Sequence, residues 1–351
     1  MYFLRLIKKI TNWEQWPFQI LYAPLAPVWL YYIIRSGSVW FFTPSNPKIT
    51  FGGMEGEPKK EMHELLPATF CPEHFNVKPG QTVSRILQSM KEHGLSFPVI
   101  VKPEVGEKGI LVRKIDNESQ LKFYHDHVPE EYIIQKYVSL PMEVSLFYYR
   151  YPWEKKGKIT GFLQKVSLRV SGDGVHTLKE LILENPKAKK QIEMLKKKFG
   201  DSFEKIIPEG EIIKLSHAGN HNRGAHFIDL KNEIDENLTM MLDKISLSID
   251  DFFYGRYDIM CQSIEDLKKG KNFYILEYNG CGAEPNHFYD TGYTLKEAYL
   301  EIMMHWKKLF TISRYNHMRG IPYWPFFKGL HFLRNAKKQV RIAQQIDLII
   351  P

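Results

Sequence analysis

Three oxygen-bearing side chains come close together in the stretch GRYDIMCQSIEDLKKGKNFYILEYNG. Residues 255–262 and 272–279 are rich in tyrosine, isoleucine, phenylalanine and leucine, so we predict two strands joined by a lysine-rich turn. Glu277 and Asn279 are two residues apart and leave the same face of a strand, and pairing in register places Asp258 beside them. Two carboxylates and an amide oxygen suit a hard cation such as magnesium. A polar, solvated hairpin face is the alternative.

A second stretch, FPVIVKPEVGEKGILV, has the residue types of a phosphate-binding loop. Residues 97–101 predict a strand that ends at Lys102, a loop with Gly106 and Gly109 follows, and residues 110–112 predict a second strand. Such a loop can lay backbone N–H groups over phosphates, while the lysine supplies positive charge. An ordinary β-hairpin is the alternative. Neither the Walker-type phosphate loop nor the dinucleotide-binding glycine motif occurs in the chain.

Other local features predict the elements that must position these residues. Thr177-x-x-Glu180 and Thr294-x-x-Glu297 are capping boxes, which predict that a helix begins at each. A short helix is expected near residues 82–93. The lysine-rich stretch ENPKAKKQIEMLKKKFGDSFEKI is typical of a solvated helical insert.

Taken together, these phrases resemble the ATP-grasp superfamily of carboxylate–amine ligases, over about residues 80–300. EYIIQKYVSLPMEVSLFYY is similar to the interdomain hinge of that family, and QKVSLRVSGDGVHTLKELI to a segment of cyanophycin synthetases and glutathione-forming ligases. PEGEIIKLSHAGNHNRGAHFID is similar to the N-x-x-R-G-G loop of the glutamate-adding ligases, with Ala225 in place of the second glycine. The D-alanine–D-alanine ligases belong to the same superfamily.

The resemblance implies an α+β fold of the ATP-grasp type, in which two α+β lobes clasp ATP. A short N-terminal lead region and a basic, aromatic C-terminal tail would flank the lobes. The expected divisions are an aromatic and basic segment at 1–45, a short lead region at 46–96, a first lobe at 97–138, a second lobe with the metal site at 139–310, and the tail at 311–351.

The resemblance also assigns roles to individual residues. Residues expected to bind ATP are Lys102, Gly106 and Gly109 at the phosphates, Gln135, Lys136, Tyr137 and Val138 at the adenine, and Glu143 at the ribose. Asp258, Glu277 and Asn279 would hold two Mg²⁺ ions, with Mn²⁺ as the substitute. Arg223 and Arg256 would stabilise charge during catalysis, and a surface ion pair is the alternative for either. Asn220, Gly224 and Gly280 would belong to substrate loops.

The implied reaction joins a carboxylate to an amine. ATP first phosphorylates the carboxylate, and the amine then displaces phosphate from the acyl phosphate. Phosphoryl transfer needs positioning and charge neutralisation, which explains the metal ligands and the arginines. A soluble amino-acid or peptide ligase is the nearest alternative. An ATP-binding scaffold without turnover and a kinase of the same fold are alternatives from other classes.

Composition narrows the possible protein class, compartment and partners. The 351 residues suffice for two or three domains, and 44% hydrophobic with 25% charged residues is typical of a globular protein. The three cysteines and thirteen histidines show no zinc spacing or disulfide framework, which favours a reducing, cytoplasmic compartment. With 48 basic and 40 acidic residues the chain carries a formal charge of +8, yet no nucleic-acid-binding fold element accompanies it, so no nucleic acid partner is expected.

Both ends of the chain interleave aromatic and basic residues. Residues 1–45 contain four of the seven tryptophans with a single acidic residue, and the C-terminal stretch YWPFFKGLHFLRNAKKQVRIAQQ is similar in composition. This pattern suits the interface of an anionic membrane, so we expect peripheral association with the inner face of the cytoplasmic membrane and a small-molecule or lipid-linked substrate. Packing on the catalytic core, a homodimer interface and a membrane-spanning helix are the alternatives, the last disfavoured by Pro17, Pro24 and Pro27.

Overall fold

The structure is a computed structural model that describes residues 12–106, 109–215, 224–249 and 251–350. The helices are α1 (Phe18–Tyr22), α2 (Ala26–Ser36), α3 (Lys59–Leu65), α4 (Val83–Glu92), α5 (Glu118–His127), α6 (Leu178–Glu184), α7 (Ile192–Phe199), α8 (Glu236–Ser248), α9 (Ile264–Lys268), α10 (Leu295–Met318) and α11 (Phe326–Asp347). The strands are β1 (His74–Val77), β2 (Val99–Pro103), β3 (Arg113–Ile115), β4 (Tyr132–Lys136), β5 (Met142–Tyr149), β6 (Lys158–Val166), β7 (Arg169–Ser171), β8 (Ile212–Lys214), β9 (His226–Asp229), β10 (Tyr254–Cys261) and β11 (Phe273–Asn279). This mixture of helices and largely antiparallel strands is the α+β class predicted from the sequence.

The chain forms two compact units, each built from separate stretches of sequence. The first unit consists of Met1–Phe70, Val144–Gln164 and Phe227–Asn335, and the second of Cys71–Glu143, Lys165–His226 and Ala336–Pro351.

The first unit is organised around a five-stranded sheet with the order β11-β10-β5-β6-β9. One of its hydrophobic clusters is rich in aromatic rings, because the rings of Tyr32, Phe41 and Phe42 pack there with rings from α10 and from the start of α11. Each buried ring removes a large apolar area from water, so this core stabilises the unit strongly. The described part of the aromatic N-terminal segment is therefore partly built into the fold.

The same segment also leaves large apolar side chains in solvent. Phe18, Ile20, Leu30, Tyr31 and Ile34 are all more than half exposed. Among the residues that the structure describes, none of the helices combines the length and hydropathy needed to cross a membrane.

The second unit contains a four-stranded sheet with the order β1-β4-β2-β3 and the small β7-β8 sheet. The expected strand at residues 110–112 is wrong, because β3 begins only at Arg113. Ile110 and Leu111 are instead buried in the core beside the sheet, and Leu111 adopts a left-handed φ of 58°. A strand requires side chains that alternate between two faces, so two consecutive inward residues end the pattern.

The predicted helix starts are confirmed. Thr177 with Glu180 and Thr294 with Glu297 each form a complete capping box, at the beginning of α6 and α10. The short helix expected near residues 82–93 is α4. The lysine-rich connection between β10 and β11 differs from the simple turn expected, because Ser263 caps a short helix, α9, there.

Candidate functional site

The hairpin of β10 and β11 pairs in the register that the sequence predicted. Asp258 lies opposite Glu277, and Arg256 lies opposite Asn279. Residues two apart on a strand share a face, so these four side chains form two adjacent cross-strand pairs on one face of the sheet. We call Arg256, Asp258, Glu277 and Asn279 the hairpin quartet.

Asp258 is the most buried member of the hairpin quartet, with 6% of the residue exposed. Its Oδ1 accepts a hydrogen bond from Ser145 Oγ of the adjacent strand β5 at 2.8 Å, and Arg256 Nε lies 3.2 Å from the same oxygen. Arg256 Nη1 also donates to the backbone oxygen of Glu284 at 3.1 Å. The contacts with Asp258 and with the backbone of Glu284 thus fix the position of the guanidinium.

Charge within the hairpin quartet is arranged so that Arg256 stays ionised. Burial lowers the pKa of Arg256, but the neighbouring carboxylates of Asp258 and Glu277 outweigh this effect and the net shift of the pKa is upward. Two carboxylates directly opposite each other repel, and Arg256 offsets part of that repulsion.

Glu277 and Asn279 are the more accessible half of the hairpin quartet. The Glu277 side chain is 37% exposed, and its Oε1 lies 3.9 Å from Lys59 Nζ on α3, beyond hydrogen-bonding distance. Nearby, burial raises the pKa of Glu57, and the negative charge of Glu277 adds to the rise. The Nδ2 atom of Asn279 is buried and, within the described ranges, has no hydrogen-bond partner.

Gly280 follows the hairpin quartet at a point of close backbone approach. A Cβ on Gly280 would lie 2.6 Å from Gly52 O and 2.7 Å from Gly53 Cα, so only glycine fits. Two backbone hydrogen bonds, Cys281 N to Gly52 O at 3.0 Å and Gly282 N to Gly53 O at 2.8 Å, join the same segments. The loop after β11 is therefore held by the N-terminal segment. Burial raises the pKa of the Cys281 thiol, which makes it a poor nucleophile.

The second unit holds the residues that the family resemblance assigns to the nucleotide. Lys102 on β2 is buried, and Gln135 on the neighbouring strand β4 is 3% exposed. The Nε2 atom of Gln135 has no hydrogen-bond partner among the described residues. Lys136 ends the strand and is exposed, and Tyr137 and Val138 follow it, half-buried. Lys114 Nζ lies 5.3 Å from the centre of the Tyr137 ring.

Glu143 and the glycine positions complete that set. Glu143 Oε1 forms an ion pair with Lys165 Nζ at 3.3 Å, a partner that the sequence did not indicate. Gly109 and Gly224 have left-handed φ values of 71° and 86°. A Cβ on Gly106 would lie 2.8 Å from Pro103 Cγ. Asn220 and Arg223 lie outside the described residues, so their predicted roles stay predictions.

A separate polar cluster in the first unit consists of His287, Glu301 and His305. It was not predicted from the sequence. Glu301 Oε1 lies 3.1 Å from His287 Nε2 and 3.0 Å from His305 Nε2. Glu301 and His305 are one turn apart on α10, a spacing visible in the sequence, whereas His287 comes from a distant loop. We call these three residues the histidine cluster.

The electrostatics of the histidine cluster favour a neutral His305. Burial lowers the pKa of His305 to about 4 even though Glu301 draws it upward. The pKa of Glu301 falls to about 2, because hydrogen bonds from the two histidines outweigh the effect of burial. A carboxylate that bridges two imidazole N–H groups satisfies one nitrogen of each buried ring, while Nδ1 of His287 has no partner among the described residues.

The donor chemistry of the hairpin quartet fits a hard divalent cation. Asp258, Glu277 and Asn279 offer only oxygen ligands, which suit Mg²⁺ or Mn²⁺ better than a thiol- or imidazole-binding metal. The unpaired Nδ2 of Asn279 costs free energy in the protein alone; as a hydrogen-bond donor it fits an acceptor oxygen of a ligand such as a phosphate, and the cation would be held by Oδ1.

No protein-family model matches the sequence, and no curated protein matches it. Among solved structures, the chain is similar to the bifunctional glutathione synthetase from Pasteurella multocida, with 15% identity and a TM-score of 0.37, over 71% of this chain and 36% of that one. It is also similar to D-alanine–D-alanine ligase from Bacillus anthracis, with 14% identity and a TM-score of 0.41, over 75% of this chain and 69% of that one.

A third similar structure is the D-alanine–D-alanine ligase from Coxiella burnetii, with 10% identity and a TM-score of 0.40, over 82% of this chain and 62% of that one. The chain thus spans little more than a third of the length of the Pasteurella protein.

Proposed function

We propose that this chain is an ATP-dependent carboxylate–amine ligase that works through an acyl phosphate. One observation carries the proposal. The hairpin quartet places an ionised arginine, two carboxylates and the side-chain amide of Asn279, whose buried Nδ2 has no partner among the described residues, on one face of a hairpin. The sequence resemblance to ATP-grasp ligases gives the same residues the same roles.

In the proposed reaction, a carboxylate oxygen of the first substrate attacks the γ-phosphorus of ATP, and ADP leaves. The amine of the second substrate then attacks the acyl carbon, phosphate leaves with the bonding electrons, and the nitrogen loses a proton. Negative charge grows first on the transferring phosphoryl group and then on the tetrahedral carbon. Arg256, held by Asp258 and by the backbone of Glu284, is the fixed positive charge for these stages.

Asp258, Glu277 and Asn279 are the residues that would hold Mg²⁺, which when bound to ATP supplies neutralisation of phosphate charge. Two features of the chain favour binding of the Mg²⁺ ion. Ser145 fixes the orientation of the Asp258 carboxylate through the 2.8 Å hydrogen bond. Glu277 is only loosely paired with Lys59, at 3.9 Å, so its carboxylate is available to a stronger cation.

Residues of the second unit are assigned to the nucleotide. Lys102 supplies positive charge for phosphates, and the unpaired amide of Gln135 supplies a hydrogen-bond donor for the adenine ring. Glu143, oriented by Lys165, is the acceptor for ribose hydroxyls. Gly106 and Gly109 lie in the loop that would cover the phosphates.

The location and the substrate form a second part of the proposal. We place the enzyme at the inner face of the cytoplasmic membrane, acting on a lipid-linked carboxylate or another envelope precursor. Support comes from the exposed apolar side chains grouped on the N-terminal helices, such as Leu30 and Ile34.

The reaction can be tested without knowing both substrates. ATP labelled with ¹⁸O at the β–γ bridge is incubated with Mg²⁺ and a panel of amino acids, dipeptides and lipid-linked carboxylates. A ligase scrambles the label in the presence of its carboxylate alone, and releases ADP and phosphate when its amine is added. A stable phosphorylated product indicates a kinase instead, and an absence of nucleotide chemistry with every compound indicates a binding scaffold.

A further inference from the structure

An aromatic pocket opens on the first unit, formed by two segments far apart in sequence. Its volume is about 480 Å³, within the range of ligand-binding pockets. The residues that line it are Gly37, Ser38, Val39, Trp40, His317, Pro322, Tyr323, Trp324 and Phe326. Trp40 Nε1 donates to the backbone oxygen of Phe326 at 3.0 Å, which fixes one wall. We call this cavity the aromatic pocket.

Exposed apolar side chains stand directly beside the aromatic pocket. Phe327 is 79% exposed and its ring contacts the lining residue Phe326, with 5.3 Å between ring centres. Met318, next to the lining residue His317, is 75% exposed, and Ile34, one turn before Gly37, is 71% exposed. Side chains of this size in water, grouped around an aromatic cavity, mark an interaction surface.

The two segments that line the aromatic pocket carry charge of one sign. The chain has 40 acidic residues, yet residues 15–54 and 302–346, which supply every lining residue, contain none. Arg35, Arg319 and Lys328 are exposed, and none of them forms an ion pair with a carboxylate within the described part of the chain. Lys328 Nζ lies 4.0 Å from the centre of the Trp324 ring, a cation–π contact at the rim.

We propose that this surface docks on an anionic phospholipid bilayer. Ile34, Met318 and Phe327 would enter the interface, Arg35, Arg319 and Lys328 would contact lipid phosphates, and the aromatic pocket would receive part of one acyl chain. Tryptophan and tyrosine at the headgroup level, apolar insertion and unpaired cations are together what such an interface requires. The inference rests on the membrane location in the proposed function, and names the surface and the partner.

Flotation of the full chain with vesicles tests the proposal. Vesicles of phosphatidylglycerol and phosphatidylcholine in equal parts are compared with vesicles of phosphatidylcholine alone, without nucleotide. We expect flotation with the anionic vesicles at low salt, and loss of it near 1 M salt, where charges are screened beyond ~3 Å. Because no nucleotide is present, failure here leaves the ligase chemistry untouched, and Glu277→Gln protein should float as well as the parent.

Matched variants distinguish binding through this surface from non-specific binding to the vesicles. Phe327→Ser and Lys328→Glu should each weaken vesicle partition by roughly tenfold. Val175→Ser removes an apolar side chain that is 70% exposed in the second unit, and Lys197→Glu reverses an exposed charge on α7, so neither should change partition. The proposal is overturned if the parent does not float at low salt, or if Val175→Ser weakens flotation as much as Phe327→Ser.

Quenching by lipids brominated on the acyl chains tests the aromatic pocket itself. Trp40 and Trp324 line the cavity, so quenching of tryptophan fluorescence should fall in the Trp324→Phe variant. A dimer that forms without vesicles and disappears in Phe327→Ser, with no vesicle binding by the parent, would show that a second copy covers the surface and would overturn the bilayer assignment.

Discussion

Two polar clusters in the first unit contain similar groups but differ in how their carboxylates are paired. In the histidine cluster, Glu301 accepts hydrogen bonds from the two buried imidazoles, at 3.1 Å from His287 and 3.0 Å from His305. In the hairpin quartet, the cation that pairs with Glu277, Lys59, lies 3.9 Å away, beyond hydrogen-bonding distance. Each cluster leaves one buried nitrogen without a partner among the described residues, Nδ1 of His287 and Nδ2 of Asn279, so the two clusters differ in their carboxylates. A carboxylate that already accepts hydrogen bonds from two buried imidazoles stabilises the fold, whereas one without a close cation is open to a ligand. We therefore assign the first to structure and the second to chemistry.

The largest effect that this contrast predicts is on turnover. Glu277→Gln keeps the size of the side chain but removes the charge of a proposed metal ligand, so Mg²⁺-dependent ATP turnover should fall by at least about 10²–10³-fold. Because Glu277 is partly exposed, the melting temperature should hardly change. Steady-state release of ADP measures the first quantity, and thermal denaturation the second.

Asp258→Asn should have the same effect on turnover but a greater effect on the fold, because Asp258 is buried and compensates Arg256. Glu265→Gln, an exposed position in the connection between the strands, is the matched control and should behave as the parent. Turnover within a few-fold of the parent in Glu277→Gln would remove this residue from the mechanism.

Removing the centre of the histidine cluster should act on stability instead. Glu301→Ala leaves two buried imidazole N–H groups without their acceptor, so the free energy of unfolding should fall by roughly 3–5 kcal/mol. Glu301→Gln, which keeps one acceptor oxygen, should lose less. Urea denaturation measures both. A Zn²⁺-dependent gain in stability that a chelator reverses would instead identify the histidine cluster as a metal site.

The histidine cluster should also make the fold sensitive to acid. His305 has a pKa of about 4 in the folded protein and an ordinary value of 6.5, so the unfolded chain binds the proton more tightly. Stability is then complete above about pH 6.5 and falls as the pH drops towards 4, by up to ~3 kcal/mol. Glu301, with a pKa of about 2 against 4.5, extends the loss below pH 4.5.

Denaturation curves at successive pH values test this slope. His287 and Lys308 also face His305, and their charges lower its pKa further, so they act in the same direction as burial. His305→Gln should flatten the slope between pH 6.5 and 4.5, while His331→Gln, an exposed position on α11, should leave it unchanged. A parent protein equally stable at pH 7 and pH 4.5 would contradict the assignment.

The smallest effect is expected from a single charge in the second unit. Lys102→Ala should weaken binding of a non-hydrolysable ATP analogue by about 1.5–3 kcal/mol, the range of a lost charge-assisted contact. Titration calorimetry measures the change, and Lys91→Ala, which removes an exposed lysine on α4 outside the residues assigned to ATP, provides the comparison for a peripheral charge. Unchanged affinity in Lys102→Ala would refute the assignment of β2 to the nucleotide.

The sequence predicted the structural features that depend on local pattern, namely the hairpin and the helix starts. The hairpin followed from two tyrosine- and isoleucine-rich runs, and the register then brought Asp258 opposite Glu277 as expected. The starts of α6 and α10 followed from their capping boxes, since a cap depends on residues only three apart.

Features that depend on distant packing could not be predicted in the same way. Lys59 comes from the lead region, where the sequence predicted only the short helix near residues 82–93, and only the fold brings the helix that carries Lys59 to Glu277. Ile110 and Leu111 have strand-like composition but turn into the core. Composition alone also could not show which N-terminal rings are buried, such as Phe41, and which are exposed, such as Phe18.

Magnesium-dependent nucleotide binding tests the central claim most directly. Thermal denaturation with a non-hydrolysable ATP analogue is followed at rising Mg²⁺ in the parent, in Glu277→Gln and in Glu301→Gln. We predict a Mg²⁺-dependent rise in melting temperature in the parent and in Glu301→Gln, from their different starting values, and none in Glu277→Gln. The reverse pattern, with the Mg²⁺ response intact in Glu277→Gln and lost in Glu301→Gln, would contradict the account.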